Sequence, residues 1–393
     1  MQIFVYFSII FISFYIHFYD KGPDYHWSKW VLTLLLGIFV VFWKLKDKYH
    51  WSLWLAFWYI ALSAVYTFGY FDNQHIGMNP QVVIILAFYS AVGLISFMCI
   101  FSVSSLLAHY KSDTVKNLFA FICVCDCILV LIQWAIGREE IDRGGMFGNA
   151  SINASFIAFT FPLVVFWAKG FITKYKHLIG ALLYFIVILA IYASMASIPV
   201  GVFALSVSVL VFLSIPNKWL KVLALLGMFI GILGVAYILF PKGNQFQLFD
   251  DSLRFGMYDH YLKSFFSGGN IWLGYGLSTF PYFGIESQLQ HQYMVGSWAI
   301  WAHSDWLQTF MELGVIGTTC MVIPLIVVLR RSLSDKYLCA SIFGYMGCMC
   351  WNYPLHYPVH AIFGLWLVLH LLKKAGKDPH FEHIAIQVQS RKD

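Results

Sequence analysis

The residues best suited to chemistry sit in Trp301-Ala302-His303-Ser304-Asp305-Trp306-Leu307-Gln308-Thr309-Phe310-Met311-Glu312-Leu313-Gly314, where a long polar loop gives way to an apolar run. An imidazole with an ordinary pKa of about 6.5 exchanges its proton near neutral pH, so His303 is a candidate general base. Ser304 or Asp305 can cap a helix starting here, and Asp305, Gln308 and Glu312 then recur at spacings of three and four, on one helical face. Glu312 falls about two turns into that helix, where an ionisable group is costly and marks function by default. A packing role for an interfacial histidine stays open from these residues alone.

Two arginines offer a second kind of chemistry, because the guanidinium fork matches phosphate oxygens. Arg143 precedes Gly144-Gly145, whose backbone amides can approach an anion, although it and Arg138 can equally pair with Glu139, Glu140 and Asp142. Arg254 opens what reads as an amphipathic helix in the long loop, with an ion pair to Asp250 or Asp251 as the plainer alternative. Asp126 lies within an apolar run and is expected to make a helix-to-helix hydrogen bond. His356 and His360 stand at helical spacing and, with His291, imitate a metal site; Pro358 and the lack of an accompanying carboxylate point instead to packing or hydrogen bonding.

These groups must be positioned by a very hydrophobic chain. Of 393 residues 60% are hydrophobic and 11% charged, with mean hydropathy +0.72, so the polar groups cannot cover a soluble surface. The expected fold is an all-α polytopic membrane protein of about twelve spans: 2–19, 29–43, 51–69, 81–106, 117–136, 152–168, 178–194, 196–214, 219–240, 306–329, 337–352 and 358–372. Asp20-Lys21-Gly22-Pro23-Asp24 follows the first run with no basic region before it and no small-residue cleavage site, which reads as a retained helix. With both termini inside, only Lys21, Lys29, Arg138, Arg143, Lys242, Arg254 and Lys263 of the 25 basic residues fall outside, as the positive-inside rule requires. The formal charge of +6 reflects that bias and gives no sign of nucleic-acid binding. Residues 1–374 then form a single transmembrane domain, including an outer loop over 241–304 that packs over the helices as a lid or wall, and 375–393 form a cytoplasmic tail. The eight cysteines all fall inside expected spans, so no disulfide framework is indicated, and Cys123 with Cys127 reads as small apolar packing.

Three segments in order carry a resemblance: Gly145-Met146-Phe147-Gly148-Asn149-Ala150-Ser151-Ile152-Asn153-Ala154, then Arg254 ahead of Gly274-Tyr275-Gly276, then His303 through Gln308 and on to Glu312-Leu313-Gly314-Val315-Ile316-Gly317. Over roughly 140–320 the chain resembles the O-antigen ligase superfamily, which includes O-antigen ligases, O-antigen polymerases and bacterial protein O-oligosaccharyltransferases. The resemblance implies a fold like that of GT-C-type glycosyltransferases, in the bacterial inner membrane with its active site facing the periplasm. It implies transfer of a glycan from undecaprenyl diphosphate to an acceptor hydroxyl on lipid A core, a growing glycan or a protein, with no cofactor and no metal. His303 would take the catalytic role, while Arg143, Arg254, Asn149, Asn153, Asp305, Gln308 and Glu312 would bind substrate. Members often carry a Ser-Arg pair where this chain reads Tyr192-Ala193-Ser194-Met195-Ala196-Ser197-Ile198-Pro199, so one phosphate contact is missing and falls to Arg143 or Lys263. A lipid-linked glycan flippase or transporter is the rival class, and it needs charges along its central spans, where Asp126 and Glu312 qualify.

Overall fold

The computed structural model describes residues 99–138, 143–147, 149–170, 176–194, 196–217, 219, 220, 222, 251–268, 270–276, 280 and 302–375. Regular structure among these residues is helical: α1 (Ser112–Ala135), α2 (Ala150–Lys169), α3 (Lys176–Ala193), α4 (Ser197–Ser214), α5 (Asp251–Gly268), α6 (Asp305–Ser332), α7 (Lys336–Trp351), a short 3-10 turn (Pro354–His356) and α8 (Pro358–Ala375). α1, α2 and α6 are long and apolar enough to cross a membrane, and His177–Ala193, Ile198–Ser214 and Pro358–Lys373 are shorter apolar helices. This is a helical membrane protein. The expected spans over 2–19, 29–43, 51–69 and most of 81–106 and 219–240 lie outside the described residues, as does nearly all of the tail.

The helix starts are written in the sequence. Asn149 caps α2 by accepting from the Ile152 amide, Ser304 caps α6 through Leu307, and Asp335 caps α7 through Tyr337 and Leu338. Helix α2 is the hub, packing against α1, α3, α4 and α7. Apolar surface gains little from leaving lipid, so close approach and interhelical hydrogen bonds hold such helices together. At Gly344 on α7 a Cβ would meet Ser206 of α4 and Phe159 of α2, so these helices touch almost backbone to backbone. Phe159, Phe363 and Tyr345 fill the space beside that contact, with the Phe159 and Phe363 rings stacked at 5.3 Å.

Basic residues collect at one end of the bundle. Lys116 near the start of α1 donates to Asp335 at the start of α7 over 2.6 Å and lies 4.4 Å over the Phe166 ring near the end of α2. Lys336 reaches Ser214 at the end of α4, and Arg330 and Arg331 close α6. His303, Arg143 and the first residues of α2 and α6 belong to the opposite end, since α1, α2, α6 and α7 alternate in direction. That division accords with the charge bias along the sequence.

One element departs from expectation. The run expected as an unbroken span over 306–329 is interrupted at Gly314, whose φ of 62° and ψ of −165° are open essentially to glycine alone. The loop before α6 fills the break with its own backbone. Tyr275 and Gly276 amides donate to the Met311 and Glu312 carbonyls, while Val315 and Ile316 donate to Ile271 and Trp272. Backbone groups freed by the interruption are thereby paired, as a buried break requires. Only glycines allow the approach: a Cβ at Gly274 would sit 2.5 Å from the Glu312 carbonyl, and one at Gly314 would sit 2.5 Å from that of Trp272.

Candidate functional site

Asp305 is the first residue of α6 and is 1% exposed. A carboxylate so placed needs donors, and it has them from across the bundle. The Leu355 amide donates to one oxygen at 2.8 Å, and the His356 Nδ1 lies 3.0 Å from the other. Its own amide donates to the Asn352 carbonyl, so three contacts tie the head of α6 to the turn after α7.

The tautomer of His356 follows from the next link. Gln308 accepts from the Ala302 amide through Oε1, which fixes the amide orientation and leaves Nε2 as the donor. That nitrogen donates to Glu312 Oε1 and to His356 Nε2, each at 2.9 Å. His356 Nε2 therefore accepts, and its proton resides on Nδ1, facing Asp305. Glu312 Oε1 also accepts from the Phe280 amide at 3.2 Å. The expected face of Asp305, Gln308 and Glu312 exists, and its hydrogen bonds go to a continuous internal network.

His303 stands at the edge of this network, half-buried, with φ at 53°. Residues with a Cβ rarely hold that left-handed conformation, and such outliers cluster at functional sites. Three neighbours keep it there. The Tyr258 hydroxyl donates to its carbonyl at 2.9 Å, the Tyr353 ring meets the imidazole edge-on at 5.0 Å, and Ser304 bonds the Met349 carbonyl. Burial, with Tyr353 beside it, pushes the Tyr357 phenol well above its ordinary pKa, so this neighbour of Tyr353 stays neutral.

Tyr258 brings the second segment to the third. It belongs to α5, which carries Arg254 one turn earlier at spacing four. The Arg254 side chain lies outside the described residues; its place on the helix is set. Tyr261 and Phe265 bury the inner face of α5, and Lys263 pairs with Asp259 at 2.5 Å on the exposed face, away from the network.

The first segment arrives from another side. Asp126 was expected to bond another helix; instead Oδ1 accepts from the Met146 amide of the loop at 2.8 Å, while Gln133 accepts from Gly145 at 3.0 Å. Gly145 has φ at 52° and lies so close to Asp126 and Asn153 that a Cβ would stand 2.4 Å from each. Asn153 is 0% exposed and so packs against this turn, and Asn149 spends its side chain on the cap. Arg143 donates to the carbonyls of Arg138 and of Ala193, the last residue of α3. The acidic alternatives at 139, 140 and 142 lie outside the described residues.

Asn352 joins the first and third segments, donating to Ser151 and Ser155 at 3.2 and 3.3 Å beside its carbonyl contact to Asp305. The sequence points His356 and His360 to packing or hydrogen bonding and gives Asn352 no role. The accompanying carboxylate that seemed missing from His356 is Asp305, distant in sequence and therefore invisible to spacing. Among the described residues no three His, Cys, Asp or Glu side chains gather to hold a metal ion, and His291 lies outside them.

Residues 179–322 match the family model Wzy_C, described as O-Antigen ligase. This segment is similar to the O-antigen ligase family. It takes in α3, α4, α5 and the head of α6, and with them Arg254 and the whole run from His303 to Glu312. The resemblance expected over 140–320 thus begins later, and Arg143, Asn149 and Asn153 fall before the O-antigen ligase match. No curated protein matches the chain.

Proposed function

We propose that this protein is a glycosyltransferase of the bacterial inner membrane, working at the periplasmic face. It transfers a glycan from undecaprenyl diphosphate to an acceptor hydroxyl, with lipid A core as the acceptor and O-antigen as the glycan. The observation that carries this reading is the Tyr258–His303 hydrogen bond, which holds the Arg254 helix against the strained histidine within the O-antigen ligase segment. A group able to take a proton and a helix bearing a phosphate-matching cation are thereby neighbours.

The reaction balances with these residues. The acceptor oxygen forms a bond to the anomeric carbon while its proton passes to a ring nitrogen of His303. The bond from that carbon to the diphosphate oxygen breaks, and undecaprenyl diphosphate leaves with the electron pair. Charge grows on the leaving group, where Arg254, with Arg143 as the second cation, would stabilise it. The diphosphate already activates the sugar, so no nucleotide is needed and the reaction is expected to be metal-independent. Asp305, Gln308 and Glu312 serve substrate binding by holding the loop and His303 in place, since Gln308 uses both of its amide donors within the network.

Two buried carboxylates that a transporter would use for proton coupling are already engaged, Asp126 by the Met146 amide and Glu312 by Phe280 and Gln308. This favours the enzyme. The test is purified protein in lipid nanodiscs with undecaprenyl-diphosphate-linked glycan and, separately, lipid A core, free glycan and pilin-like protein, with chelator present. Covalent product on lipid A core is expected. Product on the glycan or the protein alone would reassign the branch, and donor translocation in vesicles without any product would make the protein a transporter.

A further inference from the structure

Resting on that reading of His303 as the proton acceptor, we propose that His356 is the positioning residue of the site, acting on His303 through Tyr353 from a single enforced tautomer. The argument begins with what His356 cannot do. Its Nε2 is occupied by the Gln308 amide and its Nδ1 proton by Asp305, so neither nitrogen is open to an acceptor hydroxyl. A histidine bound at both nitrogens holds other groups in place.

What it holds is the turn Asn352–Tyr357. The turn has three ties to Asp305, and the imidazole supplies the only side-chain one among those described, since the others are the Leu355 amide and the Asn352 carbonyl. Tyr353 projects from this turn between two histidines, with its ring 5.0 Å from His303 and 6.1 Å from His356. The His303 ring therefore rests on a residue whose placement depends on His356. Gln308 closes the circuit, because the amide that His356 accepts from also binds Ala302, the residue before His303. Both the ring and the backbone of His303 thus depend on one side chain from the 3-10 turn that follows α7. The titratable groups facing this network are Asp305, Glu312, His303 and His356 themselves, with Tyr258, Tyr353 and Tyr357 beside the two histidines and Tyr345 and Cys348 near Asp305.

The two nitrogens make separable predictions. Asparagine places an N–H near the position of Nδ1 and can keep the bond to Asp305; glutamine reaches toward Gln308 but offers nothing at the Nδ1 position. The experiment compares the parental protein with His356→Ala, His356→Asn and His356→Gln in nanodiscs by two readouts. One is the rate at which diethyl pyrocarbonate modifies His303, resolved by mass spectrometry; the other is glycan transfer across pH. Misplacing His303 by about 1 Å should lower kcat on the order of 10- to 100-fold with little change in the donor KM. His356→Ala should therefore raise the modification rate of His303 and move the acid limb of the pH–rate profile, His356→Asn should restore most of both, and His356→Gln should not. If the alanine variant fails to fold, the Asn and Gln variants decide between the two links. Parental behaviour of all three variants, or rescue by Gln and not by Asn, would overturn the proposal. If the His303 modification rate responds as expected but the parental protein transfers no glycan, the positioning role stands and the glycosyltransferase reading falls.

Discussion

His303 occupies a backbone conformation that costs most residues about 1–2 kcal/mol, and it does so with Tyr258 and Tyr353 holding it from two sides. Asparagine tolerates that conformation better than alanine, so His303→Asn removes the base without adding strain. Glu312 is the other titratable candidate, and its bonds are those of an acceptor. Glu312→Gln should retain transfer near the parental level, because an amide oxygen can accept from Phe280 and Gln308 as the carboxylate does. Loss of activity in a folded Glu312→Gln protein would give Glu312 the proton. Arg254 invites the opposite kind of test. Arg254→Lys keeps the charge but loses the fork, so transfer should fall strongly at normal protein level if a diphosphate is gripped bidentately, and equal activity would reduce Arg254 to a generic cation.

The elements were legible where local chemistry decides them. Ser304, one of the two residues expected to cap α6, does so, and the spacing of Asp305, Gln308 and Glu312 showed a shared face; the caps of α2 by Asn149 and α7 by Asp335 emerged only from the structure. The break in α6 was not legible, because Gly314 inside an apolar run reads as a tolerated helical glycine until the partner strand of backbone at 270–276 is known. His356 was missed as part of the site for the same reason, since its carboxylate lies 51 residues away in sequence. Gly314→Ala tests the break directly. A Cβ there meets the Trp272 carbonyl and a φ of 62° that alanine resists, so stability should drop by about 2 kcal/mol or more. The check is a lowered melting temperature in detergent, with transfer lost in parallel; an unchanged melting temperature would mean that the loop does not pair with α6.

In the whole molecule the basic end and the His303 end lie at opposite ends of the bundle, and the proposed function puts the latter at the periplasmic face. Cysteine placed at Asn270 should react with a membrane-impermeant thiol reagent added from the periplasmic side, and cysteine at Ser334 should not. The opposite labelling would turn the site toward the cytoplasm, away from a donor displayed outside. The hydrophobic class and the third segment were legible from composition and order; the linkage of the first and third segments through Asn352 needed three-dimensional contact. The central claim, that His303 accepts the proton in glycan transfer, is tested most directly by single-turnover transfer with His303→Asn protein that folds and binds undecaprenyl-diphosphate-linked glycan normally. Loss of a general base predicts a rate about 10²–10⁴-fold lower with donor binding intact; transfer at the parental rate would contradict it.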